Sequence, residues 1–345
     1  DVDVDGDWVF AHGTTLGGDD GIAVAMALAI LESDRLSHPP LEVLFTVDEE
    51  TGMYGAEGLD PTDMEGRLLI NVDSEQEGVL TVSCAGGARA EIALPLDYES
   101  PSAPAYCITV SGLIGGHSGV EIDKGRLNAN VVMGQLLRSL DCRIAAVNGG
   151  QKDNAIPVLC EAVVTCVEDP TAAAEAFAAA HRVAGDPDLT ITVAPAATDR
   201  VLTADATRRV AEFLTTVPNG IQAMSGDIDG LVQTSLNLGI LATEGDTLRA
   251  SFAVRSSVNE EKAALLSQLS DVAAAFGGTC TTHGHYPAWE YRKHSRLRDT
   301  MCTVWQKQTG TAPTVLAIHA GLECGLLCEK IAGLDAVSIG PDMQD

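Results

Sequence analysis

The chain has 345 residues of 46% hydrophobic composition, a length that exceeds one ordinary core and predicts two domains, with a composition that argues against disorder. Its 49 acids against 21 bases give a net charge of −28, and so acidic a surface disfavours binding a polyanion: we expect neither a nucleic-acid nor a membrane partner. Nine cysteines without CxxC spacing and no recognisable signal peptide predict reduced thiols in a cytoplasmic protein, and the longest apolar run, 21–31, falls short of the ~18 residues a membrane span needs.

After an acidic start, HGTTLGGDDG leads into GIAVAMALAILESDRL. The Ala, Leu and Met content predicts a helix, apolar almost all round, packed against a sheet. Asp19 and Asp20 fall at its N-terminus, where an aspartate also serves as cap and dipole partner. Residues 41–47, LEVLFTV, then read as a strand buried on both faces, closed by Asp48, Glu49, Glu50 and, two residues on, a glycine. In open α/β sheets ligands bind outside the carboxyl ends of the strands, so these acids are site candidates, with a solvated acidic turn as the plainer reading. A short helix is expected over 51–59 and a second buried strand over 67–72, which runs into Asp73.

Two apolar strands and a helix start thus meet acids: Asp19, Glu49 with Glu50, and Asp73. Carboxylates gathered on one edge of a sheet suit a divalent cation, with oxygen ligands supplied by separate loops.

From about residue 87 the texture changes to short strands, such as 105–111, 189–193 and 248–254, interleaved with helices such as 126–140, 170–181 and 260–276. This alternation predicts an inserted α+β domain over 87–288. The α/β character returns with a helix at 297–308, a strand at 314–318, a helix at 322–331 and a strand at 336–339. The outer domain is therefore expected to be discontinuous, 1–86 with 289–345. It begins without a methionine and stops just after AVSIGP, and we expect a fragment.

Within the insert, Gly115-Gly116-His117-Ser118-Gly119 presents a histidine with little packing from its neighbours, free to reach a ligand or to stand exposed. His319 ends a predicted strand and reads as structural, and His283 and His285 are expected to share one face of a strand. Asn154 in NAIP and Arg255 in VRSS are single polar residues beside apolar runs, suited to a substrate carboxylate or amide or to local hydrogen bonding. No GxSxG elbow, HExxH helix, P-loop or GxGxxG is present.

The stretches GTTLGGDDGIAVAMALAIL, LEVLFTVDEETGMYGAEGL, LLINVDSEQEG, GLIGGHSGVEIDKGRLNAN, NAIP, VRSSVN, YPAWE, IHAGLECG and VSIGPDM run in order over nearly the whole chain. Together they resemble the co-catalytic zinc dipeptidase and aminoacylase family of metallopeptidases. The resemblance implies an α/β catalytic domain with a mostly parallel sheet flanked by helices, plus an inserted α+β lid domain. It implies hydrolysis of dipeptides, of the Xaa-His type or broader, by a water bridging two divalent metal ions. Those ions would be zinc, with manganese or cobalt as alternatives, and a homodimer is implied as well. By the same resemblance Asp19 would bridge the ions, Glu50 and Asp73 would each bind one, and Glu49 would be the general base. Asp20 matches a position the family does not use as a ligand. His117 would help hold the substrate carbonyl, and Asn154 and Arg255 would contact the substrate. A His-x-Asp motif before residue 1 and a histidine after residue 345 belong to the family pattern, so two ligands are expected outside this chain. Asp153 stands where the pattern has a base. The alternatives are a non-catalytic relative serving as a binding module, and an aminoacylase or carboxypeptidase of the same clan.

Overall fold

The computed structural model describes residues 1–344. These form two compact units, Ala85–Ala288 and a discontinuous one made of Asp1–Cys84 with the residues from Trp289 on.

Ala85–Ala288 is built on an antiparallel sheet. Its strands lie in the order Thr190–Ala196, Ala105–Ser111, Cys160–Cys166, Cys142–Gly149, Val232–Glu244, Thr247–Ser256, Gly86–Pro95 and Thr279–Tyr286, with Gly220–Met224 pairing beside Val232–Glu244. Alternation decides which face packs: in Gly86–Pro95 the residues Ala90, Ile92 and Leu94 are buried while Arg89, Glu91 and Ala93 between them are partly open. The helices Ala129–Ser139, Ala204–Thr216 and Asn259–Ala275 supply Leu136, Phe213 and Leu269 to that same core. Asn128 starts the first of them. Its Oδ1 accepts from the N–H groups of Asn130 (3.0 Å) and Val131 (3.3 Å), satisfying donors that the first helical turn leaves unpaired.

The discontinuous unit carries a four-stranded sheet ordered Thr314–Ile318, Val79–Cys84, Asp335–Ser338, Leu68–Asn71. Its two outer pairings are parallel and its inner one antiparallel, so the sheet is mixed. Leu80, Val82, Leu297 and Val337 form one small core, and Cys84, Trp289, Leu322, Cys324 and Ala336 another. The helices Arg296–Thr309 and Glu323–Lys330 belong to this unit, which makes it α/β beside the α+β insert. Among the described residues no helix is long and apolar enough to cross a membrane.

Three local expectations are corrected. Residues 41–47 form no strand: Leu41, Val43, Phe45 and Val47 are exposed, and among the described residues no neighbour supplies the ladder of hydrogen bonds that extended backbone needs. The helix Gly18–Glu32 forms, yet none of its residues is buried, and Val24, Met26, Leu28 and Leu31 remain open. The helix expected over 51–59 is two short ones, Glu49–Gly52 and Tyr54–Gly58, because Met53 takes a left-handed φ of 60° between them.

Candidate active site

In the discontinuous unit the acids are carried by three separate turns. Asp48 adopts a left-handed φ of 57°, a conformation that an aspartate tolerates better than most residues. It turns the chain so that Glu49 and Glu50 open a helix. Asp19 and Asp20 stand in the first turn of Gly18–Glu32, joined by a cis peptide bond, and Asp73 follows the edge strand Leu68–Asn71.

Their electrostatics tie them together. Burial pushes the Asp73 carboxyl up to about 8; the charges of Glu49, Asp19 and Asp20 add to this, as does a hydrogen bond to the Asp19 side chain. Glu49 is raised first by burial and then by Glu50, Glu323 and Asp19. Asp20 is raised to about 6, again mainly by burial. Carboxylates crowded in this way repel one another, and a divalent cation would relieve that repulsion. Glu50 stands on the solvent side, exposed, and acts on Glu49.

One acid was not anticipated as part of this group. Glu323 opens the helix Glu323–Lys330 and is buried; its Oε2 accepts from the Thr46 hydroxyl at 2.8 Å, while its Oε1 has no hydrogen-bond partner. Its charge acts on both Glu49 and Asp20. The only signal in the sequence was its place between glycines in HAGLECG.

The donors are all carboxylate oxygens, hard ligands whose crowding a divalent cation neutralises, and the unpartnered Glu323 Oε1 adds to that demand. The chemistry of the donors therefore fits such an ion. Among the described residues, no group of three or more His, Cys, Asp or Glu side chains is close enough to enclose one.

The insert gathers the other candidates. His117 lies on a two-residue strand paired with Ala155–Ile156, which places it beside Asn154. Gly116 precedes it at a φ of 133°, and a side chain there would collide with the Arg126 guanidinium and the Glu121 carboxylate, which form an ion pair at 2.9 Å. Glu121 also accepts from the His117 backbone N–H at 2.8 Å, so the loop is braced from both sides. The His117 Nδ1 accepts from the N–H groups of Gly119 (3.2 Å) and Val120 (3.3 Å). Backbone N–H groups cannot accept, so the ring proton is assigned to Nε2. Burial and then the Arg255 charge lower the His117 pKa, which keeps the ring neutral and its Nε2–H available as a donor.

Arg255, on Thr247–Ser256, gives one Nη1 hydrogen bond to the Tyr286 hydroxyl at 3.1 Å, and its Nε–H is buried without an acceptor. Asp153, which stands where a base was expected, is paired with Arg89. His283 and His285 do not share a face, since a bulge between His283 and Tyr286 breaks the alternation. His319 is buried.

Residues 108–185 match a family model described as a peptidase dimerisation domain. The chain is 35% identical to the cytosol non-specific dipeptidase of Escherichia coli (strain K12), over 98% of its own length and 73% of that protein's. The chain belongs to the M20 peptidase family. The crystal structure of aminoacylhistidine dipeptidase from Vibrio alginolyticus superposes with a TM-score of 0.93 at 35% identity, covering 100% of this chain and 73% of that one. Aminopeptidase PepT of Bacillus cereus, at 14% identity and a TM-score of 0.50 over 99% of this chain and 67% of that chain, shares the fold. As a member of the M20 peptidases the chain is a hydrolase by descent, with an α/β unit interrupted by an α+β insert.

Proposed function

We propose that the chain hydrolyses dipeptides, of the Xaa-His type or more broadly, at divalent metal ions held by Asp19, Glu50 and Asp73, with Glu49 as general base. The observation that carries this is that acids from three turns act on one another: beside its burial, the charges of Glu49, Asp19 and Asp20 raise the Asp73 carboxyl. Bound cations, zinc in this reading with manganese or cobalt as alternatives, would polarise the scissile carbonyl and acidify water.

The remaining steps belong to the chain's own groups. Glu49, held above the usual carboxylate range by burial, takes a proton from the attacking water and passes it to the leaving amine. The Nε2–H of His117 donates to the carbonyl oxygen as negative charge builds there, a contribution that grows toward the transition state. Asn154 and Arg255 bind the substrate, Arg255 through its carboxylate. The gene product that carries this chain acts in the cytoplasm as a homodimer, a reading supported by the names of the matched relative and family model.

The test is a substrate panel on the complete gene product: a Xaa-His dipeptide, a tripeptide and an N-acetyl amino acid, before and after chelation and with each metal returned. Dipeptide hydrolysis that vanishes on chelation and returns with metal is expected. Hydrolysis of the N-acetyl amino acid alone would move the chain to an aminoacylase role, and binding without hydrolysis to a binding module.

A further inference from the structure

Three neighbouring strands of the insert bring Arg255, Gly87 and Tyr286 into one row: Arg255 is in register with Gly87, and Gly87 with Tyr286. The middle position has no side chain, and a Cβ placed there would overlap the Tyr286 ring. The ring therefore lies across the middle strand, and its hydroxyl accepts from Arg255 Nη1 at 3.1 Å, two strands from its own backbone. The backbone of Tyr286 is held in turn, its carbonyl accepting from the Lys262 ammonium. Arg255 retains a buried Nε–H without an acceptor, a guanidinium with more donors than this fold satisfies.

We infer that Tyr286 is a positioning residue for Arg255: laid over Gly87, its phenol fixes the guanidinium in the orientation that receives the carboxylate end of the substrate. This deepens the reading of Arg255 as the carboxylate contact and rests on it. A planar guanidinium pairs well with a carboxylate only when its fork is aimed, and an arginine on a flexible stem loses rotamer freedom on binding unless it is already held. The phenol oxygen supplies that hold, and by accepting from Arg255 it leaves its own O–H free to donate toward the same anion.

Steady-state kinetics of Tyr286→Phe in the complete gene product, on a dipeptide and on the same dipeptide with a C-terminal amide, test this directly. The ring still covers Gly87, and only the hydroxyl is lost. The expected result is a KM raised about tenfold on the dipeptide with kcat changed less than twofold, and little change on the amide, since the neutral end gives Arg255 no charge to meet. Gly87→Ala, which displaces the ring, is expected to reproduce the KM effect, and Arg255→Ala to exceed it. An unchanged KM in Tyr286→Phe, or an equal loss on dipeptide and amide, while Arg255→Ala raises KM on the dipeptide alone, would overturn the positioning role and leave the carboxylate reading intact. An Arg255→Ala variant that treats both substrates as the parent does would overturn the carboxylate reading itself. Equal thermal melting of parent and Tyr286→Phe is expected as well.

Discussion

Replacing Asp73 by asparagine probes the crowding of carboxylates in the metal-free protein. The Asp73 carboxyl is raised from 3.8 to about 8, first by burial and then by Glu49, Asp19 and Asp20. At about 1.36 kcal/mol per unit this sets a ceiling near ~6 kcal/mol. Asp73 is only partly buried, and solvent screening brings the expected value to roughly 2 kcal/mol. Because the folded-state pKa lies above the unfolded one, stability from this group is complete below pH 3.8 and is lost as pH rises toward about 8. Asp73→Asn stays neutral throughout, and its amide still donates to Asp19. Urea denaturation of chelated protein at a series of pH values is the assay. The variant is expected to match the parent near pH 4 and to be more stable by roughly 2 kcal/mol at pH 9. Added divalent cation should then stabilise the parent at pH 8 and leave the variant nearly unmoved, since the ion replaces the proton. A difference independent of pH, or a variant less stable at pH 9, would refute the reasoning.

Two further outcomes are expected. Asn128→Ala removes a helix cap and the hydrogen bonds that the Asn128 amide gives to Asn237 Oδ1 and the Leu238 carbonyl, both at 3.0 Å. Urea denaturation should show a loss of about 2–3 kcal/mol, and a loss below about 1 kcal/mol would contradict the bonding described. His117→Ala should lower kcat about 10²–10³-fold with KM and thermal melting little changed, and in the parent the loss of rate from His117 protonation should begin below the usual histidine range.

The insert was readable from sequence wherever one face of an element is buried. Residues 105–111 alternate and form Ala105–Ser111, with Ile108 and Val110 in the core, and the helix expected over 260–276 is Asn259–Ala275. Residues 41–47 misled because a continuous apolar run specifies burial without specifying a partner, and a strand exists only where a ladder is offered. The candidate acids were legible as endings of apolar segments. The place of Glu323 beside Glu49 and Asp20 was not, since it depends on how distant parts of one unit pack. The tie from Tyr286 across Gly87 to Arg255 was equally hidden: it follows from a strand order, Thr247–Ser256 beside Gly86–Pro95 beside Thr279–Tyr286, that chain order does not reveal.

The proposed division of labour among the acids, with Glu49 to move protons and Asp19, Glu50 and Asp73 to hold the ions, is tested most directly by calorimetric titration of zinc into Glu49→Gln, with hydrolysis measured on the same sample of the complete gene product. The account predicts parent-like zinc affinity and stoichiometry with hydrolysis reduced at least about 10³-fold. Zinc binding lost together with activity, or hydrolysis that survives the substitution, would contradict it.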